Sequence, residues 1–399
     1  MSKTFCPLLF QHLATHPHGG VTHCCIADHR NAISSSRDET DAGHRYYNLN
    51  YDSILDTFNS ESFRKARVQS LNNEIPRACA RCFKEESQGI LSKRLEESRN
   101  YPDFTLEQAH RITSPDGTIA DIQFDFVELR LGNVCNVACR TCNPASSSKW
   151  ASDYNKLSSA ITFPITDYSK LDSFKWPEQD SFWEDLLQHC DNVKTFYING
   201  GEPTLIKQHF TFLKRLADMG RTDVHLWYSI NMTNLSKEII DIWNQFDNVK
   251  ISCSIDDLAE RNTYIRHPTD WSTVMTNFER LKQTKFQLDI TQTVSFMNYS
   301  NLANFYKFFW LEHGVWINHN FVYDPVYLSP SVLPEDLKQR AHDSFEGTLD
   351  DAKLQQLKTM FTNTHDAELW QRAREYTQRL DAIRSQQVGD FLPEFRGIL

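Results

Sequence analysis

"FDFVELRLGNVCNVACRTCNP", residues 124–144, joins a short apolar run directly to Cys135, Cys139 and Cys142. The run 124–131 is rich in aromatic and branched residues and reads as a β-strand, which puts the three cysteines on the loop at its C-terminal end. Cysteine thiolates hold iron–sulfur clusters, normally four to a cubane. Three thiols leave one iron open to a substrate or cofactor, much as a catalytic zinc keeps one position open. The same residues also allow a zinc site completed by a distant histidine, or three thiols that only pack.

Downstream of this loop the strand pattern recurs at 193–199, 224–230, 249–255, 286–294 and 315–322, with apolar residues at helical spacing in the later intervals. Six strand–helix units predict an α/β fold: a partial (β/α)6, TIM-like barrel of parallel strands with its active site at their C-terminal ends. Residues 1–120 are expected to form a small cysteine-rich domain, 121–330 the barrel, and 331–399 a helical region packing on it. In that last region Trp370, Ala373, Tyr376, Leu380 and Ile383 recur every three or four residues, the stripe of a buried helix face. The stretch 151–190 fits no pattern.

Composition narrows the function. Of 399 residues, 42 are Lys or Arg and 52 Asp or Glu, a formal net charge of -10, which argues against nucleic acid as an electrostatic partner. No apolar run resembles a signal peptide or a membrane span, so the expected location is the cytoplasm, with no membrane partner. Reduced cytosolic thiols make the ten cysteines a poor disulfide framework, and clustered ones read as metal ligands.

The C-x3-C-x2-C spacing at the end of the first of six β/α strands resembles the signature of the radical S-adenosylmethionine (radical SAM) enzymes. The resemblance implies that Cys135, Cys139 and Cys142 hold a 4Fe-4S cluster whose open iron chelates S-adenosylmethionine. It further implies reductive cleavage of that cofactor to a 5'-deoxyadenosyl radical, which takes hydrogen from the substrate. An electron donor such as flavodoxin or ferredoxin is implied as partner. One departure is Thr141, which stands where the family usually carries an aromatic residue on the adenine side.

Other strand ends carry the resemblance further. "NGGEP" (199–203) reads on its own as a strand-to-helix turn, two glycines permitting positive φ and Pro203 suiting a first helical turn. It is similar to the family's GGE element, which implies that Gly200, Gly201 and Glu202 meet the cofactor's methionyl amino group. In "SINMTNLS" (229–236), Asn231, Thr233 and Asn234 either cap the next helix or lie beside the cofactor. "SCSIDDLAERNTYIRHP" (252–268) resembles the family's S-x-D element followed by an arginine. The resemblance implies cofactor contacts for Ser254 and Asp256, with Arg266 pairing with the carboxylate, a task its planar fork suits. Gln292, Thr293, Asn298, Asn318 and Asn320 are polar on strands expected to be buried on both faces, so some should line a substrate cavity. Cys190 and Cys253 read as buried structural thiols.

The N-terminal cysteines form a second group. "FCPLLFQHLATHPHGGVTHCC" (5–25) and "IPRACARCFKEESQGILSKR" (75–94) supply Cys6, Cys24 or Cys25, Cys79 and Cys82, four thiolates for zinc or a 4Fe-4S cluster. The order resembles the SPASM and twitch auxiliary-cluster domains: a first cysteine, a G-x-V-x-x-C hairpin, a helix over 53–67, then C-x2-C. Counted from Gly19, Cys24 fits better than Cys25. Here the domain precedes the barrel, where family members usually have it after. His12, His16, His18 and His23 are expected to be solvated rather than ligands.

Together these features imply a radical SAM enzyme with two clusters, acting on a ribosomally made peptide that it oxidises or cross-links. A small-molecule substrate, a sugar or nucleoside derivative, is the enzyme alternative, and a zinc-binding interaction protein the alternative outside enzymes. No general base is identified.

Overall fold

The computed structural model describes residues 3–28, 47–166, 173–348 and 366–399. These fall into two compact units, one of residues 1–133, 171–227 and 241–248, the other of 134–170, 228–240 and 249–399. The division crosses the boundaries expected at 120 and 330. At the first of these boundaries β1 (His12–Thr15) pairs antiparallel with β2 (Val21–Thr22) and parallel with β3 (Phe126–Leu131), His12 standing opposite Phe126. The cysteine-rich region thus shares a sheet with the strand it was expected only to precede.

The class is α/β, and all six expected strands form. In the first unit β3 pairs parallel with β4 (Thr195–Gly200), in register from Phe126 opposite Thr195 to Leu131 opposite Gly200. β5 spans His225–Ile230. β6 (Asn248–Ser254) pairs parallel with β7 (Gln287–Val294), and β7 with β8 (Trp316–Phe321).

The first unit's core shows why β4 forms where it does. Phe196 and Ile198 are buried and alternate with half-buried Thr195, Tyr197 and Asn199. Phe196 meets Phe212 edge to face at 5.4 Å, on the buried face of the helix Lys207–Asp218. In the second unit Asp270 accepts from the amides of Ser272 and Thr273 and starts the helix Trp271–Lys282, whose Phe278 packs on Phe309.

Three local expectations change. The helix expected over 53–67 breaks into Ile54–Phe58 and Glu61–Leu71, because Asn59 turns its side chain onto Ile119, accepting from its amide and donating to its carbonyl. The chain after Leu302 is α-helical to Tyr306 and then widens to a π-helix over Lys307–Glu312. The unassigned stretch contains helices Ala151–Ala160 and Asp180–Leu187; residues 167–172 of it lie outside the described residues. In the helix Ala367–Arg384, Trp370, Ala373, Tyr376 and Leu380 are buried as their spacing predicts. No described helix is long and apolar enough to cross a membrane.

Candidate metal centres

In the second unit the loop after β3 is fixed atom by atom. Ala138 and Arg140 donate their amides to the carbonyls of His267 (2.5 Å) and Ile265 (2.7 Å). The loop carbonyls are also taken: Val137 by Ser147 Oγ at 2.6 Å and Cys139 by Trp150 Nε1 at 2.8 Å. The segment 265–267 therefore runs alongside the cysteines, and this delivers Arg266 to them. Cys139 is buried and Cys135 and Cys142 half-buried; none of the ten cysteines forms a disulfide. Burial pushes the Cys139 thiol up to about 12 and the Cys142 thiol up to about 11, while the nearby Arg266 guanidinium opposes the rise in both.

Arg266 is held by Asp256, whose Oδ2 accepts from Arg266 Nη1 at 2.9 Å. Asp256 is fully buried, and its Oδ1 accepts from the Thr293 amide at 2.8 Å. Both carboxylate oxygens thus have a partner in the protein, and one of them holds Arg266. Burial opposes the charge on Arg266, but the neighbouring Cys139 and Asp256 favour it and raise its pKa. Arg266 Nε is buried and has no hydrogen-bond partner among the described residues.

Asn231 and Thr233 fasten the start of the loop. Asn231 Nδ2 donates to Asn136 Oδ1 at 2.8 Å and lies 3.9 Å from Cys135 Sγ, while Asn136 Nδ2 donates to Thr233 Oγ1 at 2.8 Å. Capping of the helix Lys237–Trp243 falls to Ser236, whose Oγ accepts from the Ile239 amide. Between Asn231 and Thr233, Met232 sits at φ +66°, and its carbonyl accepts from Asn277 Nδ2 at 2.8 Å. Sequence reasoning missed this pair, since a buried left-handed Met gives no local signal. Asn234 and Ser254 are half-buried in the same unit, Ser254 as the last residue of β6.

Gly200, Gly201 and Glu202 belong to the first unit. Gly200 closes β4 at φ +135°, where a Cβ would meet the Leu131 amide nitrogen at 2.4 Å, and Gly201 donates to the Gly132 carbonyl at 3.1 Å. Glu202 is buried and accepts from the Thr204 amide and hydroxyl at 3.1 and 2.7 Å. Pro203 opens a 3-10 turn, Pro203–Leu205, and the α-helix starts only at Lys207. Gly200→Ala is expected to cost about 3 kcal/mol or more, since the strained φ and the backbone clash act together. A urea unfolding midpoint checks this, and an unchanged midpoint contradicts it.

The second unit also holds a cavity of about 350 Å³ beside the loop, walled by Thr141, Cys142, Trp150, Tyr154, Tyr327 and Tyr376. None of Gln292, Thr293, Asn298, Asn318 and Asn320 lines it. Gln292 Nε2 and Asn298 Nδ2 both donate to the Asp256 carbonyl, at 2.9 and 2.7 Å. Asn318 Nδ2 donates to Asp289, and Asn320 is exposed. The amides of Gln292 and Asn298, two of the five residues of which some were expected to line a substrate cavity, secure the turn that carries Asp256.

In the first unit Cys6, Cys24, Cys79 and Cys82 line one small apolar cavity with Leu9 and Phe83. Four different elements bring them there. Cys6 precedes the helix Leu8–Gln11, Cys24 follows β2, Cys79 ends a 3-10 turn, and Cys82 lies in the helix Ala80–Ser87. Burial raises the Cys6, Cys24 and Cys79 thiols, Cys79 to about 12, and each is raised further by a neighbouring thiol. Cys25 is outside this cavity; burial and Glu128 raise it to about 11, against the pull of Lys93 and Arg130. Among the described residues no three His, Cys, Asp or Glu side chains are arranged around a site for one metal ion.

The hairpin histidines depart from expectation. His12, His16 and His23 are buried, His12 where β1 lies along β3 and His23 against the Phe63 ring, while His18 is half-buried. His12 Nδ1 donates to the Phe126 carbonyl at 3.0 Å, and burial pushes His12 and His23 down to about 3, leaving them neutral. Cys190 and Cys253 are buried.

Residues 6–83 match the SPASM family, an iron-sulfur cluster-binding domain, and this span contains all four cavity thiols. No curated protein sequence matches the chain. Among solved structures, anSMEcpe with bound AdoMet is 19% identical at a TM-score of 0.38, the match covering 55% of this chain and 59% of that one. Streptococcus suis SuiB bound to its precursor peptide SuiA is 12% identical at a TM-score of 0.36, covering 84% and 68%. TYW1 with a lysine-pyruvate adduct is 13% identical at 0.33, covering 66% and 80%. The chain thus spans under two thirds of the length of the first of these.

Proposed function

We propose that the chain is a radical SAM enzyme with two 4Fe-4S clusters. The observation that carries this reading is Arg266, a buried cation whose Nε has no partner among the described residues and whose charge acts on Cys135, Cys139 and Cys142. That donor set suits a cluster with one open iron and an anionic ligand beside it. Cys135, Cys139 and Cys142 hold the cluster, Arg266 binds the cofactor carboxylate, and Asp256 keeps Arg266 in place. Gly200, Gly201 and Glu202 are assigned to the methionyl amino group, and Asn231, Thr233, Asn234 and Ser254 are assigned to the cofactor as further contacts. The cavity beside Thr141 suits the adenine ring: Trp150, Tyr154, Tyr327 and Tyr376 supply the aromatic surface that Thr141 does not. Cys6, Cys24, Cys79 and Cys82 hold the second cluster, fully ligated and so suited to electron transfer or structure.

When bound, the first cluster and S-adenosylmethionine supply one-electron cleavage of the cofactor and removal of hydrogen from the substrate. The electron comes from a flavodoxin or ferredoxin in the cytoplasm. The substrate class is a ribosomally made peptide. SuiB, bound to its precursor peptide, makes a peptide substrate natural to try first. The test is incubation of the reduced, S-adenosylmethionine-loaded enzyme with a short peptide encoded beside its gene. A product lighter by two hydrogens is expected; an unchanged peptide together with turnover of a sugar or nucleoside derivative would replace this substrate class.

A further inference from the structure

The C-terminal helix does more than bury its apolar stripe. Its Tyr376 hydroxyl donates to the Arg140 carbonyl at 2.6 Å, and Arg384 Nη2 donates to the Ala138 carbonyl at 2.9 Å. With Ser147 on Val137 and Trp150 on Cys139, four consecutive carbonyls, 137 to 140, are each bound by a side-chain donor. Two of those four donors come from one helix more than two hundred residues away in sequence. Arg140, between the second and third cysteines, is fully buried and points away into the same helix. Its Nη2 meets Asp381 Oδ1 at 2.5 Å and Gln386 Oε1 at 2.8 Å, its Nε donates to the Tyr264 carbonyl at 3.1 Å, and its guanidinium lies 3.6 Å over the Tyr264 ring.

Asp381 is the node of this arrangement. Its Oδ1 also accepts from the Tyr264 hydroxyl at 2.9 Å, and its Oδ2 accepts from the Val388 amide at 2.7 Å. One carboxylate therefore joins the cysteine loop, the segment leading to Arg266 and the turn after the C-terminal helix. The segment 264–266 is tied to the loop a second time by the amide of Arg140 on Ile265. Spacing of the cysteines and placement of Arg266 thus depend on the same group, although Asp381 is a direct partner of neither.

We infer that Asp381, with Tyr376, is a positioning residue for the three-cysteine cluster: it sets the conformation of residues 138–140 and the approach of Arg266 together. This rests on the reading of the loop as a cluster site. Outer partners that orient metal ligands change metal affinity about 10- to 100-fold when removed. Each of the four bound carbonyls has its negative end taken up by a donor, so releasing one should alter the cluster's potential as well as its retention.

The test uses the full chain, reconstituted anaerobically, with Cys135→Ala/Cys139→Ala/Cys142→Ala as a blank that reports the iron of the N-terminal site. In Asp381→Asn the iron above this blank is expected to fall about tenfold under chelator challenge while the N-terminal iron stays. In Tyr376→Phe, which keeps the ion pair, the loop cluster should be retained, with a shifted midpoint potential and an altered electron paramagnetic resonance spectrum, both recorded without S-adenosylmethionine. Wild-type iron retention in Asp381→Asn, with a wild-type potential and spectrum in Tyr376→Phe, would overturn the inference. If Asp381→Asn also loses the N-terminal iron, it has unfolded and Tyr376→Phe decides alone. A wild-type chain with no iron above the blank would instead overturn the reading of the loop, and this inference with it.

Discussion

Replacing Cys135, Cys139 and Cys142 together with alanine is expected to abolish release of 5'-deoxyadenosine from S-adenosylmethionine and to remove about half of the reconstituted iron. The remaining iron should stay with Cys6, Cys24, Cys79 and Cys82, which line their own cavity in the first unit. The loop should also survive the change. Its geometry rests on backbone partners such as His267, Ile265, Ser147 and Trp150, and the alanines leave these untouched. Folding measured by circular dichroism should therefore match the parent. Loss of all iron would mean that the two sites are not independent, and retained cofactor cleavage would mean that the cluster lies elsewhere.

The second large effect is expected at Arg266. Arg266→Met leaves the Asp256 carboxylate fully buried with only the Thr293 amide bound to it, an uncompensated charge costing about 3–5 kcal/mol. Asp256→Asn in the same chain removes that charge, so the double variant should regain about 2 kcal/mol or more relative to Arg266→Met. Binding of S-adenosylmethionine should behave differently. It should stay lost in the double variant, because the guanidinium is still missing. A denaturant melt beside a calorimetric titration separates the two outcomes. Recovery of cofactor binding along with stability would show that Arg266 serves only the fold.

How much of this was legible in the sequence depends on how local each cause is. The six strands are legible because alternating or continuous apolar runs between polar breaks leave few other structures. The same holds for the buried face of the helix Ala367–Arg384. Cys24 rather than Cys25 is legible only through the resemblance, counted from Gly19; both residues follow β2 outside any strand, and Cys25 comes under the influence of Glu128 and Lys93.

What stayed hidden depends on partners distant in sequence. The hairpin histidines read as solvated because nothing near them shows that β1 will lie along β3. Gln292 and Asn298 could not be told from cavity-lining residues, because a buried amide and a ligand-binding amide look alike until the carbonyl of Asp256 is found between them. Arg140 and Asp381 are 241 positions apart, and neither lies in a pattern that names the other. The aromatic surface beside Thr141 is likewise supplied from the segments around Trp150, Tyr327 and Tyr376, not from the cysteine loop itself.

The central claim is that the three-cysteine loop carries a cluster with an open iron for S-adenosylmethionine. The most direct measurement is anaerobic reconstitution of the full chain with iron and sulfide, followed by dithionite and S-adenosylmethionine and quantification of 5'-deoxyadenosine. The account predicts about seven to eight irons per chain and release of 5'-deoxyadenosine that depends on the reductant. A chain that takes up only zinc and leaves S-adenosylmethionine intact would contradict it.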